Sequence, residues 1–157
     1  MSAAESQTES AFFPLFANLR GRRVLVIGGS EIARRKIARL RRAGAAVDVV
    51  AGELDAELAA LAASGGIEWL GPALEDRHLP GHVLIMVAGA DPATRDRARD
   101  WAERHATLIN VVDQLEASSA IVPAVVDRAP LTVAIGSGGN APELARMLRS
   151  RIEALLP

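Results

Sequence analysis

The segment from Arg22 to Arg42 most constrains the fold, because it has the pattern of a β-strand, a tight turn and an α-helix in direct succession. An apolar run ends at Gly28, Gly29 and Ser30 follow, and apolar residues then recur at helical spacing from Glu31 onward. The N-terminus of such a helix offers unpaired N–H groups and a partial positive charge, and glycines let a phosphate approach the backbone. The segment therefore predicts the phosphate-binding turn of a nucleotide-binding α/β fold.

This turn departs from the usual Gly-x-Gly-x-x-Gly fingerprint at one position. The third residue of the fingerprint is glycine so that the backbone can come close to a pyrophosphate, but here it is Ser30. The sixth residue is Ala33, an accepted variant. Arg34 and Arg35 follow in or near the first helical turn, where cations oppose the helix dipole. Two interpretations stay open for them: a solvated basic face, or compensation by an anion bound at the turn.

Strands and helices alternate from this segment to Asp113, which requires a parallel sheet with right-handed crossovers. We therefore predict an α/β fold with a doubly wound, Rossmann-like parallel sheet over residues 11–115, preceded by a disordered tail at residues 1–10. The apolar face of the first helix is expected to hold Ile32, Ala33, Ile37 and Leu40. The predicted elements are strands at 12–19 (an edge strand), 23–27, 46–50, 67–70, 83–87 and 108–112, and helices at 31–43, 53–63 and 92–105, the last with Asp91 as its N-cap.

The pattern changes in residues 116–157. Two strand-like runs at 120–127 and 131–135 are too close together for a helix between them, so they are predicted to form a β-hairpin arm. A second glycine-rich loop at 136–140 then opens a C-terminal helix, with Asn140 as its expected N-cap.

Composition excludes several classes of function. The net charge of −1 gives no support to binding of nucleic acid or an anionic membrane surface. No apolar run approaches the ~20 residues of a membrane span, and the first residues lack the order of a signal peptide. The absence of cysteine excludes disulfides and thiolate metal sites and suits a cytoplasmic location. His78, His82 and His105 are scattered, so no metal site is predicted.

Two acidic positions are candidates for contact with a ribose hydroxyl. Asp48 has nearly the expected spacing from the first glycine but lies inside the second strand, where a solvent-facing strand residue is the competing interpretation. Glu53 is the first acid beyond the tip of that strand, and it is also a candidate for the start of the next helix.

Asn110 and Asp113 mark the end of the last predicted parallel strand, where ligands bind in doubly wound folds. A carboxylate there moves protons, contacts a metal or caps a turn, and the sequence does not decide between these roles. The Ser137 to Asn140 loop exposes several N–H donors at a helix N-terminus, which predicts an anion pocket; an ordinary helix entry is the alternative.

Taken together, these segments resemble the N-terminal module of siroheme synthase and its free-standing relatives, the precorrin-2 dehydrogenases. The resemblance covers about residues 12–157 and rests on five segments. These are Pro-Leu-Phe-x-x-Leu-x-x-Arg at 14–22, Val-Ile-Gly-Gly-Ser-x-Ile-Ala-x-Arg-Lys at 26–36, Asn-Val-Val-Asp at 110–113, Ile-Val-Pro-Ala-Val-Val-Asp-Arg-Ala-Pro-Leu at 121–131 and Ser-Gly-Gly-Asn-Ala-Pro-x-Leu-Ala-Arg at 137–146.

The resemblance implies NAD-dependent oxidation of precorrin-2 to sirohydrochlorin, with insertion of ferrous iron in some members. It implies that Asp113 is the catalytic residue and handles protons, and that the protein is a homodimer joined through the hairpin arm. The cofactor site it implies consists of Gly28, Gly29, Ser30, Glu31 and Ile32, with Ala51, Gly52 and Glu53 around the adenosine. The tetrapyrrole site it implies consists of Asn110, Ser137, Gly138, Gly139 and Asn140.

Two departures from the family pattern define the alternatives. Ser30 replaces the family's usual glycine, and Val87-Ala88-Gly89-Ala90 stands where the family tends to have Ala-Ala-Thr-Asp. Both fall on the cofactor side, so a chelatase without dehydrogenase activity is one alternative. A non-catalytic sensor that binds a nucleotide or tetrapyrrole is the other.

Overall fold

Strands and helices alternate along the first part of the chain as the apolar periodicity predicts. The computed structural model describes residues 11–156; the tail predicted at 1–10 lies outside the described residues. The elements in chain order are β1 (Arg23–Ile27), α1 (Glu31–Arg42), β2 (Ala46–Val50), α2 (Ala56–Ala63), β3 (Glu68–Gly71), β4 (Leu84–Val87), α3 (Pro92–Arg104), β5 (Leu108–Val111), β6 (Ala124–Arg128), β7 (Leu131–Ile135) and α4 (Pro142–Leu155). Short 3₁₀ helices lie at Asp76–His78 and Leu115–Ala117.

The sheet has the strand order β3-β2-β1-β4-β5, and all of its neighbouring strands are parallel. β1 lies at the centre, between β2 and β4, so the order of the strands reverses between β1 and β4. This topology confirms the doubly wound, Rossmann-like fold. It also gathers the carboxyl ends of all five strands at one edge of the sheet.

Both faces of the sheet are buried, which explains why its strands are apolar at consecutive positions. On one face, side chains of β1 and β2 pack with Ala33 and Ile37 of α1 and with Leu58 of α2. On the other face, side chains of β1, β4 and β5 pack with Ala98 and Ala102 of α3. The two helical layers fix the sheet between them and hold its ends in position.

Apart from shifts of one residue at the ends of elements, four features differ from the predictions. Residues 12–19 contain no strand; Pro14 has no N–H to donate to a ladder. α2 begins at Ala56 rather than at Glu53, because the carboxylate of Asp55 accepts a hydrogen bond from Leu58 N–H and caps the helix there. β6 begins at Ala124, directly after Pro123. Finally, Ile32 on α1 is 41% exposed instead of facing the core.

Residues 17–120 form one compact unit, and residues 121–156 belong to a second unit together with 11–16. In the second unit β6 and β7 pair as an antiparallel hairpin, from Ala124 opposite Ile135 to Arg128 opposite Leu131. α4 packs on this hairpin, and the N-cap of α4 is Ala141 rather than the expected Asn140.

Among residues 11–156, no helix has both the length and the apolar character needed to cross a membrane.

Candidate active site

The candidate site lies at the carboxyl edge of the sheet, where β1 and β4 diverge to opposite faces. In doubly wound folds this reversal of strand order opens the crevice in which ligands bind. Three turns meet there, following β1, β2 and β4, and the turn after β5 lies beside them. Val112 N–H donates to Val87 O at 3.0 Å, which ties the turn after β5 to the end of β4.

Gly28 and Gly29 let the turns after β1, β2 and β4 pack against one another. A side chain at Gly29 would overlap the carbonyl oxygen of Glu53, and its Cβ would lie 2.9 Å from the Cβ of Ala51. Gly28 has a φ of +131°, and a Cβ there would lie 3.0 Å from the carbonyl carbon of Ala88. Hydrogen bonds close the arrangement, from Gly28 N–H to Val50 O and from Asp55 N–H to Gly29 O. The structure thus brings the predicted cofactor residues after β1 together with Ala51, Gly52 and Glu53.

The N-terminus of α1 is open toward this crevice. Ser30 is the N-cap, but its side chain makes no capping hydrogen bond and is exposed, as are Glu31 and Ile32. By contrast, the carboxylates of Asp55 and Asp91 cap α2 and α3. The first-turn N–H groups of α1 therefore remain available to an anion. Glycines without side chains, an uncapped helix end and a free hydroxyl fit the pyrophosphate of a dinucleotide.

Arg34 is paired within the protein, whereas Arg35 is exposed, as expected for a residue on a solvated basic face. The guanidinium of Arg34 forms ion pairs with Asp55, at 3.1 Å, and with Glu57. The hydrogen bond to Glu57 is the main cause that raises the pKa of Arg34 above its ordinary value. Arg35 lies 3.9 Å from Glu31 on the same helix. These contacts tie α1 to the start of α2, beside the turn that carries Glu53.

Asp113 lies in the turn after β5 and has an exposed side chain. The turn runs from Val111 to Gln114 and is closed by a hydrogen bond from Gln114 N–H to Val111 O. Asp113 has a φ of +61°, a left-handed conformation that is uncommon for a residue with a side chain and that recurs at functional sites. In the part of the chain that the structure describes, its carboxylate makes no hydrogen bond or ion pair. It is therefore not used as a turn cap and is available for proton transfer.

Lys36 is a candidate site residue that the sequence motifs do not indicate. It is half-buried on α1, and burial lowers the pKa of its ammonium group, as do the nearby charges of Arg39 and Arg35. The Asp113 carboxylate acts in the opposite direction and raises it. A signal for Lys36 was present in the sequence, because it is the single lysine among the 18 lysines and arginines.

The residues predicted for the tetrapyrrole site belong to different parts of the chain: Asn110 lies at the end of β5, and residues 137–140 precede α4. Asn110 is buried at the end of β5, and its Nδ2 donates to Ala120 O at 3.0 Å, so this amide group holds the chain that leaves the strand. Ser137 and the glycines after it belong to the second unit. There Asn140 N–H donates to Ser137 O, and Gly138 and Gly139 have φ values of +60° and +85°. Glycine suits both central positions of such a turn.

Ser137 itself takes part in the entry to α4. Its Oγ accepts a hydrogen bond from Ala141 N–H at 3.3 Å. An oxygen that accepts in this way keeps its own O–H free to donate. The loop therefore presents backbone N–H groups and one hydroxyl at the start of a 14-residue helix.

Asp48 has a different place from either sequence interpretation, because it neither faces solvent nor reaches a ribose site. It is buried, and its Oδ2 accepts hydrogen bonds from Arg23 Nη2 at 2.6 Å and from His82 Nε2 at 2.8 Å. His78 is buried as well, and its Nδ1 accepts from Glu75 N–H.

Within residues 11–156, no three histidine, aspartate or glutamate side chains gather in a way that could hold a metal ion.

The chain matches two protein-family models and is similar to several known proteins. Residues 15–124 match the family model described as putative NAD(P)-binding, and residues 128–155 match the model described as sirohaem biosynthesis protein central. Over 146 residues the chain is 52% identical to siroheme synthase 1 of Cronobacter sakazakii. It is 49% identical to siroheme synthase of Neisseria meningitidis and 47% identical to that of Azotobacter vinelandii.

The extent of these matches differs between relatives. Each alignment with the three synthases covers 93% of this chain but only 30–32% of the relative, so the chain spans about a third of the length of these curated relatives. The solved structure of SirC, a precorrin-2 dehydrogenase, superimposes with a TM-score of 0.78 at 26% identity, over 93% of this chain and 72% of that chain. The chain belongs to the family described as putative NAD(P)-binding, and along 93% of its length it is similar to siroheme synthases and to a precorrin-2 dehydrogenase.

Proposed function

We propose that this protein oxidises precorrin-2 to sirohydrochlorin with NAD as the hydride acceptor, as a step in sirohaem synthesis. The observation that carries the proposal is the position of Asp113. This unpaired carboxylate stands at the same sheet edge as an open, glycine-lined phosphate turn. The SirC match supports the same reaction, since that protein is a precorrin-2 dehydrogenase.

The cofactor would be held by the turn after β1 and the tip of β2. The N–H groups of Glu31 and Ile32 and the Ser30 hydroxyl would bind the pyrophosphate, and Gly28 and Gly29 give it access to the backbone. When bound, the nicotinamide ring accepts a hydride from the substrate. The protein's own contribution is to orient the two reactants and to keep water from the reacting atoms.

The charges around the tip of β2 favour NAD over NADP. The exposed carboxylate of Glu53 at this tip suits the hydroxyls of a ribose and opposes a 2′-phosphate. Arg34 is the cation beside this segment, and its guanidinium is already paired with Asp55 and Glu57. A 2′-phosphate would need an unpaired arginine in that place.

Asp113 would take up the proton that leaves the substrate as the hydride departs. A positioned carboxylate of this kind contributes roughly 100- to 10,000-fold to a rate. The carboxylates of the tetrapyrrole would be bound by the loop of Ser137, Gly138, Gly139 and Asn140 through its N–H groups and hydroxyl. Asn110 would support the substrate side through the carbonyl oxygen of its amide.

We also propose that the protein acts as a homodimer. Apolar side chains of the second unit remain exposed on β7 and α4, and soluble proteins bury such patches against partners. They are Leu131, Leu144, Met147, Leu148 and Leu155. Sedimentation of wild type beside Leu144→Glu tests this, with a dimer expected for the former and a monomer for the latter.

The decisive experiment supplies the purified protein with precorrin-2 and NAD and follows NADH at its near-ultraviolet absorbance. We expect NADH and sirohydrochlorin in equal amounts, and loss of both in Asp113→Asn. A folded protein that makes no NADH would overturn the proposal. Insertion of ferrous iron into sirohydrochlorin without any need for NAD would instead support the chelatase alternative.

A further inference from the structure

The basic residues of the chain are almost all arginines. Of its 18 lysines and arginines, only Lys36 is a lysine, and it lies on the helix that follows the phosphate turn. Arginine and lysine differ in ways that matter in a confined site. The guanidinium is a broad planar fork, whereas the ammonium is a compact point charge on a flexible stem. A half-buried position suits the smaller group.

The packing of the sheet places Lys36 and Asp113 on the same side of the fold. Val112, directly before Asp113, packs against the apolar cluster that contains Ala33 and Ile37 of α1. Lys36 precedes Ile37 and is half-buried at that same helix. The electrostatic effect of Asp113 on the Lys36 ammonium follows from this arrangement.

The ammonium of Lys36 and the carboxylate of Asp113 do not form an ion pair with each other. Among the described residues, neither Lys36 nor Asp113 has an ion-pair partner within the 4.0 Å that defines such a pair, and neither side chain makes a hydrogen bond. Arg35 and Arg39 add further positive charge around Lys36. The ammonium is therefore partly stripped of water and has no fixed anion, a state in which it gains from binding a carboxylate.

We propose that Lys36 binds a carboxylate of the tetrapyrrole substrate next to Asp113 and so positions the ring for the reaction. The inference rests on the proposed function, because it takes a polycarboxylate tetrapyrrole as the ligand. It adds Lys36 to the substrate site. Because Lys36 lies on α1, whose N-terminus would bind the cofactor, this one helix would contact both reactants. α1 then holds a phosphate at its N-terminus and a substrate carboxylate about one turn further on.

The test measures binding of sirohydrochlorin and of NAD separately, at low ionic strength, by fluorescence titration. Lys36→Met keeps the length of the side chain and removes its charge, and Lys36→Arg keeps the charge. Arg42→Met is the matched control, because it removes a positive charge from an exposed position at the far end of α1. NAD affinity reports whether each variant retains the folded cofactor turn.

We expect Lys36→Met to weaken sirohydrochlorin binding about tenfold, the effect of losing one charge-assisted hydrogen bond, and Lys36→Arg to recover most of it. NAD affinity should stay within about twofold of wild type in every variant, as should sirohydrochlorin affinity in Arg42→Met. In turnover, Lys36→Met should raise KM for precorrin-2 and leave KM for NAD unchanged.

Equal sirohydrochlorin affinity in wild type and Lys36→Met would overturn the role of Lys36 and leave the proposed function standing. A tenfold loss in Arg42→Met as well would also overturn it, because the effect would then come from overall charge. If wild type binds no sirohydrochlorin at all, the proposed function fails, and this inference fails with it.

Discussion

The imidazole of His82 donates from Nε2 to Oδ2 of Asp48 at 2.8 Å, although the two residues are 34 positions apart in the chain. The other ring nitrogen, Nδ1, lies 3.1 Å from the carbonyl oxygen of Leu79, and the side chain of His82 is fully buried. Both ring nitrogens of this buried imidazole therefore have an oxygen atom of the protein within hydrogen-bond distance. Arg23 binds the same carboxylate oxygen, so Asp48 joins β1, β2 and the loop before β4.

Asp48→Asn should destabilise the protein by about 3 kcal/mol, because it replaces the carboxylate that binds the Arg23 guanidinium and the buried His82 ring with an uncharged amide. Urea unfolding followed by circular dichroism measures the loss. Glu68→Gln is the matched control, since Glu68 is exposed and lies opposite Asp48 on β3. We expect the control to change stability by no more than about 0.5 kcal/mol. Equal midpoints for the two variants would contradict the structural role of Asp48.

Gly29→Ala should cost at least about 2 kcal/mol and abolish NAD binding, because the new methyl group overlaps the carbonyl oxygen of Glu53. Gly52→Ala is the control for folding. A Cβ at Gly52 meets nothing closer than Pro72 O at 3.9 Å, so its unfolding midpoint should stay close to that of wild type. Thermal denaturation and NAD titration check both effects. Normal NAD affinity in Gly29→Ala would show that the turns after β1 and β2 do not need this close approach.

Ser30→Ala should weaken NAD binding about fivefold, since the exposed hydroxyl makes no hydrogen bond within residues 11–156 and is free to donate to the pyrophosphate. Isothermal titration of NAD into wild type, Ser30→Ala and Ser30→Gly measures the contribution. The order of affinity expected is wild type first, with both variants weaker. A large gain in Ser30→Gly would mean instead that the serine side chain obstructs the cofactor.

Asp113→Asn should lower the pKa of Lys36 further below its ordinary value of 10.5, because the mutation removes the one nearby charge that raises it. The same variant should reduce NADH formation by roughly 100-fold or more. Because the chain has one lysine, its Cε–Hε signals in the NMR spectrum of a ¹³C-labelled sample belong to Lys36. An unchanged titration curve in Asp113→Asn would show that the two side chains are not coupled.

Asp91→Ala should lower the melting temperature at neutral pH. The hydroxyl of Thr94, followed by its N–H group, donates to the Asp91 carboxylate and holds the pKa of Asp91 below its ordinary value of 3.8. A depressed carboxyl pKa stabilises the folded state above the unfolded value and loses that effect as the pH falls through the folded value. The difference from wild type should therefore narrow below pH 3.8. Asp100→Ala, at an exposed site within α3, serves as the control for removing a carboxylate that does not cap the helix.

The sequence predicted the central sheet well because its signals are local. A buried parallel strand is a short apolar run, and Gly28 and Gly29 mark the turn after the first one, so the five strands could be located along the chain. The predictions of a buried Ile32 and of a strand at 12–19 were wrong for a common reason. Their apolar side chains suggested burial, but whether an apolar side chain is covered depends on neighbours that periodicity does not identify.

The candidate site was predicted in part. What the sequence did not predict are contacts between residues that are far apart in the chain. Asp48 was interpreted through its distance along the chain from Gly28, whereas its partner His82 comes from a loop much later in the sequence. Lys36 could have been noticed from composition alone, as the single lysine, but its relation to Asp113 depends on how β5 packs beside α1. Charges that interact across elements are visible only once the elements are placed.

The uncapped N-terminus of α1 has a consequence for how stability is distributed between the free and the bound protein. α2 and α3 receive their capping energy from Asp55 and Asp91 in every state, whereas α1 receives the equivalent only from a bound anion. Occupancy of the cofactor site should therefore be measurable as resistance to unfolding, by about 2.7 kcal/mol when NAD is present at 100 times its Kd. With NAD as the proposed cofactor, the free protein is then the less stable form and the one more open to proteolysis.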